Sequence, residues 1–286
     1  MKLIDRFAEK FFLVSAVLSL AVTVLIFGFM VILGLPLFKG GHFFELLSKP
    51  WLPDHGIFGI YPMIVGTLSI TLLSLVLAFP LSLGCSAFIS VLGPKKLGQI
   101  VKKIVQLMTG IPTVIYGFVG VFLLVPIIRE MFDSGSGMCI LTASLLLAIL
   151  VSPTMIFFFS DSFDQVPKSF LDAVDALGGN KAQKILYVIL PYSWRGILTG
   201  SMLALGRAMG DTMIALMVAG NAVAIPDSVF DSARTLTAHI ALIIAADFDS
   251  LEFKTLFACG IILYLFTTFI AVAVRSIESK SWNKKW

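Results

Sequence analysis

The two longest stretches of this 286-residue chain without a charged residue are 11–38 and 56–94. Each exceeds the ~20 apolar residues that a helix needs to cross a ~30 Å hydrocarbon core. Peptide groups in such a core must hydrogen-bond within the protein, which leaves helices or a closed barrel. A barrel strand takes only ~10 residues, so runs of this length predict helices. Only 13% of the residues are charged and 58% are hydrophobic, against roughly a quarter charged in soluble domains. The expected fold class is all-α, a polytopic membrane protein.

The punctuation of the runs predicts six spans. Lys2, Asp5, Arg6, Glu9 and Lys10 precede the first run and suggest a short amphipathic helix at the membrane surface. The run itself is about twice the ~7–15 residues of a secretory core, so 11–38 is read as a first span. Residues 56–94 are too long for one crossing. Residues 58–62 are expected to form an interfacial or partly re-entrant entry, and 63–92 a second span kinked at Pro80, ending at Gly93-Pro94. A third span over 104–128 contains GIPTVIYGF, whose Gly110 and Pro112 interrupt a helix. Such breaks survive where neighbouring helices or a cavity repair them. A fourth span is expected over 138–160 with Pro153 inside it, a fifth over 196–221 and a sixth over 255–274. A short helix near 232–245 lies in the more polar stretch between the last two. No internal repeat or linker divides the chain. It reads as one domain, 1–286, with a core at about 60–275 and a polar loop at 161–195.

Six spans place both termini on one side. That side, with the second–third and fourth–fifth connections, holds 15 of the 21 Lys and Arg, whereas the opposite loops hold only Lys39, Lys49, Arg129, Arg234 and Lys254. The positive-inside rule therefore makes both termini and the 161–195 loop cytoplasmic. The net charge of +4 is dispersed over loops and gives no nucleic-acid signal.

Several chemistries find no support. Cys85, Cys139 and Cys259 all lie in apolar runs without CxxC spacing, which argues against a disulfide framework or a zinc site; they read as buried, inert thiols. No GxxxxGK[ST], HExxH or GxSxG occurs, so neither P-loop ATP binding nor a known hydrolytic motif is expected. His42, His55 and His239 fall outside the spans and are expected to be solvated, as are the pairs Asp161/Asp164 and Asp247/Asp249.

The 161–195 loop is the longest polar interruption. Ser169-Phe170-Leu171-Asp172 has the form of a capping box with Asp in place of Glu or Gln. Phe170, Leu171, Val174 and Leu177 then recur at helical spacing, and Gly178-Gly179-Asn180 closes the helix. A second short helix runs from Lys181 to Leu190-Pro191. Two helices with an apolar face under the membrane suit insertion into a groove on a partner; packing on the chain's own bundle is the alternative.

A buried charge follows. Arg207 lies about ten residues into the fifth span, ~15 Å deep, where an arginine costs on the order of 3 kcal/mol. It is expected to face protein or water. Gly196, Gly200, Leu203, Arg207, Gly210, Asp211 and Ile214 share one helical face, and Asp211, at i+4, can pair with Arg207. The pair could serve packing only. Alternatively it is an oxyanion site, since the planar guanidinium matches phosphate geometry and a carboxylate accepts from protonated phosphate but not from sulfate.

The loop resembles the EAA loop of bacterial ABC importer permeases. Asp172-Ala173-Val174 is followed after three residues by Gly178, and after nine more by Val188-Ile189-Leu190-Pro191. The spacing is the family's, with Asp for Glu, Val174 for Ala and Val188 for Ile. The resemblance implies the type I importer (MetI-like) fold. It also implies a coupling helix that docks on an ATPase through Asp172, Ala173 and Gly178, with Val174, Leu177 and Gly179 beside them. The stretches WLPDHGIFGIYPMIVGTLSIT (51–71), GIPTVIYGFVG (110–120) and GRAMGDTMIALMVAGN (206–221) are together similar to the phosphate-specific Pst permeases, in particular the PstC branch, which carries Glu where Asp211 stands here. That similarity implies a non-enzymatic subunit of a bacterial cytoplasmic membrane importer that translocates inorganic phosphate and needs no cofactor. Its implied partners are a second, PstA-like permease, two PstB-like ATPases and a PstS-like extracytoplasmic binding protein. The implied path residues are Arg207, Asp211, Thr212, Asn221, Thr113 and Tyr116. Transport of phosphonate, sulfate or molybdate, or a non-transport phosphate-sensing scaffold, are the alternatives.

Overall fold

The computed structural model describes the backbone of residues 2–38, 43–132, 135–248 and 250–282, and side chains within 7–34, 45–132, 135–248 and 250–276. Lys39, His42 and Asp249 lie outside these residues.

The chain is helical almost throughout. A long helix α1 (Lys2–Phe38) and a short α2 (Phe43–Ser48) lead to a hairpin of β1 (Trp51–Leu52) and β2 (Ile57–Phe58), antiparallel with Trp51 opposite Phe58. There follow α3 (Tyr61–Ala87), α4 (Lys95–Thr109), α5 (Thr113–Val119), α6 (Val125–Phe132) and α7 (Ile140–Asp164). The second half comprises α8 (Lys168–Ala176), α9 (Lys181–Gln183), α10 (Leu190–Gly210), α11 (Met213–Val218), α12 (Leu236–Ile243) and α13 (Leu251–Trp282). Wide π-helical turns at Phe88–Leu92, Gly120–Leu124 and Lys184–Ile189 extend or join helices without ending the helical path. Proline sets several starts: α4, α5 and α8 begin directly after Pro94, Pro112 and Pro167. Its fixed φ suits a helix entry, where its missing N–H costs nothing.

Among the described residues, five helical stretches are long and apolar enough to cross a membrane: Phe7–Gly34, Tyr61–Leu92, Thr113–Phe132, Ile140–Asp164 and Leu251–Ser276. The remaining expected span, the fifth, corresponds to α10, whose 21 residues suffice in length but include Arg195 and Arg207. It takes its place in the bundle packed on α3, α7 and α13.

α7 is the centre. Its buried residues run from Ile140 to Phe163, and α3 and α10 flank it. Lipid gives apolar helices no hydrophobic reason to associate, so such seams rely on small residues and interhelical hydrogen bonds. Across α3 and α7, Ser144 Oγ donates to Ile70 O (3.2 Å), Ser86 Oγ to Ile156 O (3.2 Å) and Ser82 Oγ to Ser152 O (3.4 Å). Across α7 and α10, a GxxxG pair provides the close approach. A Cβ on Gly196 would overlap Ser162 Oγ, and one on Gly200 would lie 2.7 Å from Phe158 Cβ. Ser193 Oγ donates to Ser162 O at 2.8 Å along the same seam. α1 stands outside, its described side chains mostly exposed, and touches α13 through Phe27 stacked on Tyr264 at 4.5 Å.

Several expectations are corrected. The first span and the charged residues before it form one continuous helix, because nothing in residues 2–10 breaks it. Residues 58–62 form no separate entry segment: Phe58 belongs to the hairpin, and Tyr61-Pro62 opens α3. The third span begins at Thr113, not 104. Residues 95–109 are a separate amphipathic helix, because Gly110 and Pro112 end one helix and start another. The fifth helical path starts at Lys181 and stops at Gly210, where Asp211 turns to extended backbone (ψ 129°). The capping box at Ser169 does not form, since Pro167 sets the start of α8. The capping box lies instead in the next helix, where Asn180 Oδ1 accepts from Gln183 N and Gln183 Oε1 from Asn180 N.

His239 is also corrected. It is 0% exposed, with its ring against Trp51 at 4.5 Å and Nε2 3.5 Å from Thr255 Oγ1. Burial, reinforced by the nearby Arg234 cation, pushes its pKa down to about 3. It locks the hairpin, α12 and α13 together as a neutral ring.

Candidate functional site

Two places in the fold carry candidate residues. The first is the loop around α8. This helix buries none of its residues, and Phe170 (50%) and Leu177 (89%) are open to the surroundings. Asp172, Ala173 and Gly178 are exposed; Val174 and Gly179 are half-buried. Gly178 has φ +74°, the left-handed conformation that ends helices. Gly178 N donates to Asp175 O and Gly179 N to Val174 O, both at 2.9 Å. A Cβ on Gly179 would overlap the Val174 side chain. Two polar contacts hold the loop: Lys184 Nζ pairs with Asp175 Oδ2, and Lys181 Nζ donates to Leu92 O (3.2 Å) at the end of the π turn that follows α3. Between α8 and the π turn lies an open apolar groove of about 450 Å³, lined by Phe170, Ala173, Val174, Leu177, Tyr187 and Pro191.

The second place is the broken end of α10. Arg207 is half-buried and points at α7, where Nη1 donates to Thr154 Oγ1 at 3.1 Å. The i+4 pairing expected with Asp211 does not form, because the helix ends one residue before Asp211. Among the described residues no ion pair joins them. Asp211 Oδ2 instead accepts from Ile214 N at 2.9 Å, capping α11, while Asp211 O accepts from Thr237 Oγ1 of α12 at 2.8 Å. Arg207 remains within electrostatic reach of both Asp211 and Tyr116. Tyr116 Oη donates to Met108 O at 3.2 Å, bridging the break between α4 and α5.

Arg207 thus contacts Thr154 and lies within electrostatic reach of Asp211 and Tyr116. Thr212 follows Asp211 in the break and is half-buried; Thr113 opens α5, three residues before Tyr116. Asn221 lies elsewhere, past α11. Its backbone is left-handed (φ 59°), its Nδ2 donates to Leu216 O at 2.7 Å, and its carbonyl accepts from Arg234 Nε at 3.0 Å. It ties α11 to the following loop. Thr154 carried no sequence signal except Pro153 beside it, and its partner lies 53 residues away.

A family model described as the binding-protein-dependent transport system inner membrane component matches residues 78–282. The chain belongs to this family. The permease is 32% identical over 311 aligned positions to the phosphate transport system permease protein PstC of Pasteurella multocida, covering 99% of this chain and 94% of that protein. It is 31% identical over 238 to the probable ABC transporter permease protein YqgH of Bacillus subtilis, covering 82% and 77%. Among solved structures, a bacterial alginate ABC transporter in complex with an alginate pentasaccharide-bound periplasmic protein aligns with TM-score 0.65 at 15% identity, over 98% of both chains. The MetNI methionine ABC transporter aligns with TM-score 0.58 at 18% identity, over 76% of the permease and 95% of that chain. At these identities the structures speak for the fold alone, the all-α fold of ABC importer permeases.

Proposed function

We propose that the permease is one of two membrane subunits of a phosphate importer, driven by ATP hydrolysis in a separate subunit. The observation that carries the reading is a half-buried guanidinium at a helix break inside the bundle, in a chain similar along 99% of its length to a phosphate permease. A break of this kind leaves backbone and side chains free to meet a ligand where continuous helices would not. Arg207 supplies paired donors for an oxyanion. Asp211 has one oxygen in the α11 cap and a second that can accept from protonated phosphate, which fully ionised sulfate cannot offer. Thr212, Thr113 and Tyr116 line the approach, and Asn221 shapes the loop behind it.

The partners follow from the two ends of the molecule. The α8 loop, with Asp172, Ala173, Val174, Leu177, Gly178 and Gly179, is the coupling element for a PstB-like ATPase, of which two serve the complex. A PstA-like second permease completes the pore, and a PstS-like binding protein delivers phosphate at the α12 end. Both termini and α8 are cytoplasmic. The experiment is co-purification of all subunits, then labelled phosphate and sulfate uptake in proteoliposomes. ATP-dependent phosphate uptake with weak sulfate uptake is expected. Equal rates for both anions would instead favour a general oxyanion permease, and hydrolysis without flux a sensing scaffold.

A further inference from the structure

Serine and threonine in these helices mostly spend their hydroxyl proton on their own backbone. Ser152, Ser162, Ser201, Thr67, Thr71 and Ser86 each donate to the carbonyl four residues earlier, at 2.5–2.8 Å. This back-bonding is the low-energy default for a hydroxyl inside a helix. Thr154 departs from it. Among the described residues its hydroxyl bonds only Arg207, accepting from Nη1 at 3.1 Å. A hydroxyl has one proton and two lone pairs. With a cation on the oxygen, the proton is directed away from the guanidinium, and both side chains are only half-buried.

The register of the seam places the hydroxyl beside the guanidinium. Gly196 against Ser162 and Gly200 against Phe158 fix how α10 lies on α7, and Arg207 follows on the same face opposite Thr154. We propose that Thr154 is a second ligand of the oxyanion bound by Arg207, donating its free proton while its oxygen orients the guanidinium. The site is then a clamp with one jaw on α7 and one on α10, and an anion bridges the two helices. This rests on the reading of Arg207 as an anion site.

The test is phosphate transported per ATP hydrolysed, in proteoliposomes holding the complete complex, for Thr154→Val, Thr154→Ser and Arg207→Gln. Valine keeps the branched shape and removes the hydroxyl; serine restores it. The expected result is a ratio lowered on the order of ten-fold in Thr154→Val, as befits a lost hydrogen bond to a charged group, with hydrolysis within about two-fold of the parent and the ratio recovered in Thr154→Ser. An unchanged ratio in Thr154→Val overturns the proposal. So does a parallel fall of uptake and hydrolysis, which would mark a packing role, or a loss that serine does not restore. Arg207→Gln separates the two levels. If it too leaves the ratio unchanged, the anion site itself fails; if it abolishes uptake while Thr154→Val does not, only the clamp fails.

Discussion

The α7–α10 seam and the α8 loop lie near each other in the chain and are built in opposite ways. The seam excludes everything: two glycines let helices meet so closely that a single added carbon would collide. The loop excludes nothing, buries no side chain in its helix and leaves Leu177 89% exposed. The face of α8 is apolar and open, whereas the seam is closed. The contrast is between a closed helix joint and an open apolar face.

The strongest way to break the contrast is to overfill the seam. Gly200→Leu forces a side chain into Phe158 and Phe159, and overpacking of this kind costs ~1–3 kcal/mol or more. Loss of folded chain is expected in fluorescence-detected size exclusion. Retention at the parent level would mean that the seam is slack. Leu177→Asp should do the reverse. It leaves accumulation unchanged, because the residue is exposed, but weakens capture of the ATPase by about 100-fold, as for a hot-spot residue. A drop in accumulation without loss of capture would count against α8 as a docking surface.

The far end offers a pH probe. The pKa of His239 is about 3 in the fold against an ordinary 6.5, so the unfolded state binds more protons between those values. Its stabilising effect is complete above about pH 6.5 and is lost as pH falls toward 3. At pH 5 the loss is about 2 kcal/mol. Thermal melts of the detergent-solubilised protein at pH 7 and pH 5 should show this difference, and His239→Gln should flatten it; an equal slope in both proteins rules the ring out. The smallest effect on stability belongs to Asp211→Asn. Asparagine caps a helix as well as aspartate does, so the melt should move by less than ~0.5 kcal/mol while preference for phosphate over sulfate falls.

How much of this could be read from the residues depends on how local each feature is. Uncharged runs located α3 and α7 within about five residues and the start of α13 within four, though α13 continues eight residues past 274, because bilayer thickness sets a minimum length that composition shows directly. The α8 loop was legible from the spacing of Asp172, Gly178 and Pro191. The failures are non-local or turn on competing signals. Ser169 satisfied the pattern of a cap, but Pro167 decided where the helix began. Residues 196–221 read as one helix, and only the contact of Thr237 with the Asp211 carbonyl shows why the backbone departs there. Thr154 and Arg207 find each other through the packing of two helices, and no pattern along one helix encodes that. His239 sits in a polar stretch and was expected in water; Trp51, 188 positions earlier, covers it.

The helical path that starts at Lys181 does not stop until Gly210. About 30 residues at 1.5 Å each make a rod of roughly 45 Å. One tip adjoins the exposed loop; the other carries the arginine. A rod of that length tilted by about ten degrees around its middle swings each tip by about 4 Å, in opposite directions. The π turn near its base, where one extra residue sits in the helix, is the natural place for such a rod to bend or rotate. A tilt of that size would move the guanidinium sideways by more than the length of the hydrogen bond that it makes to Thr154.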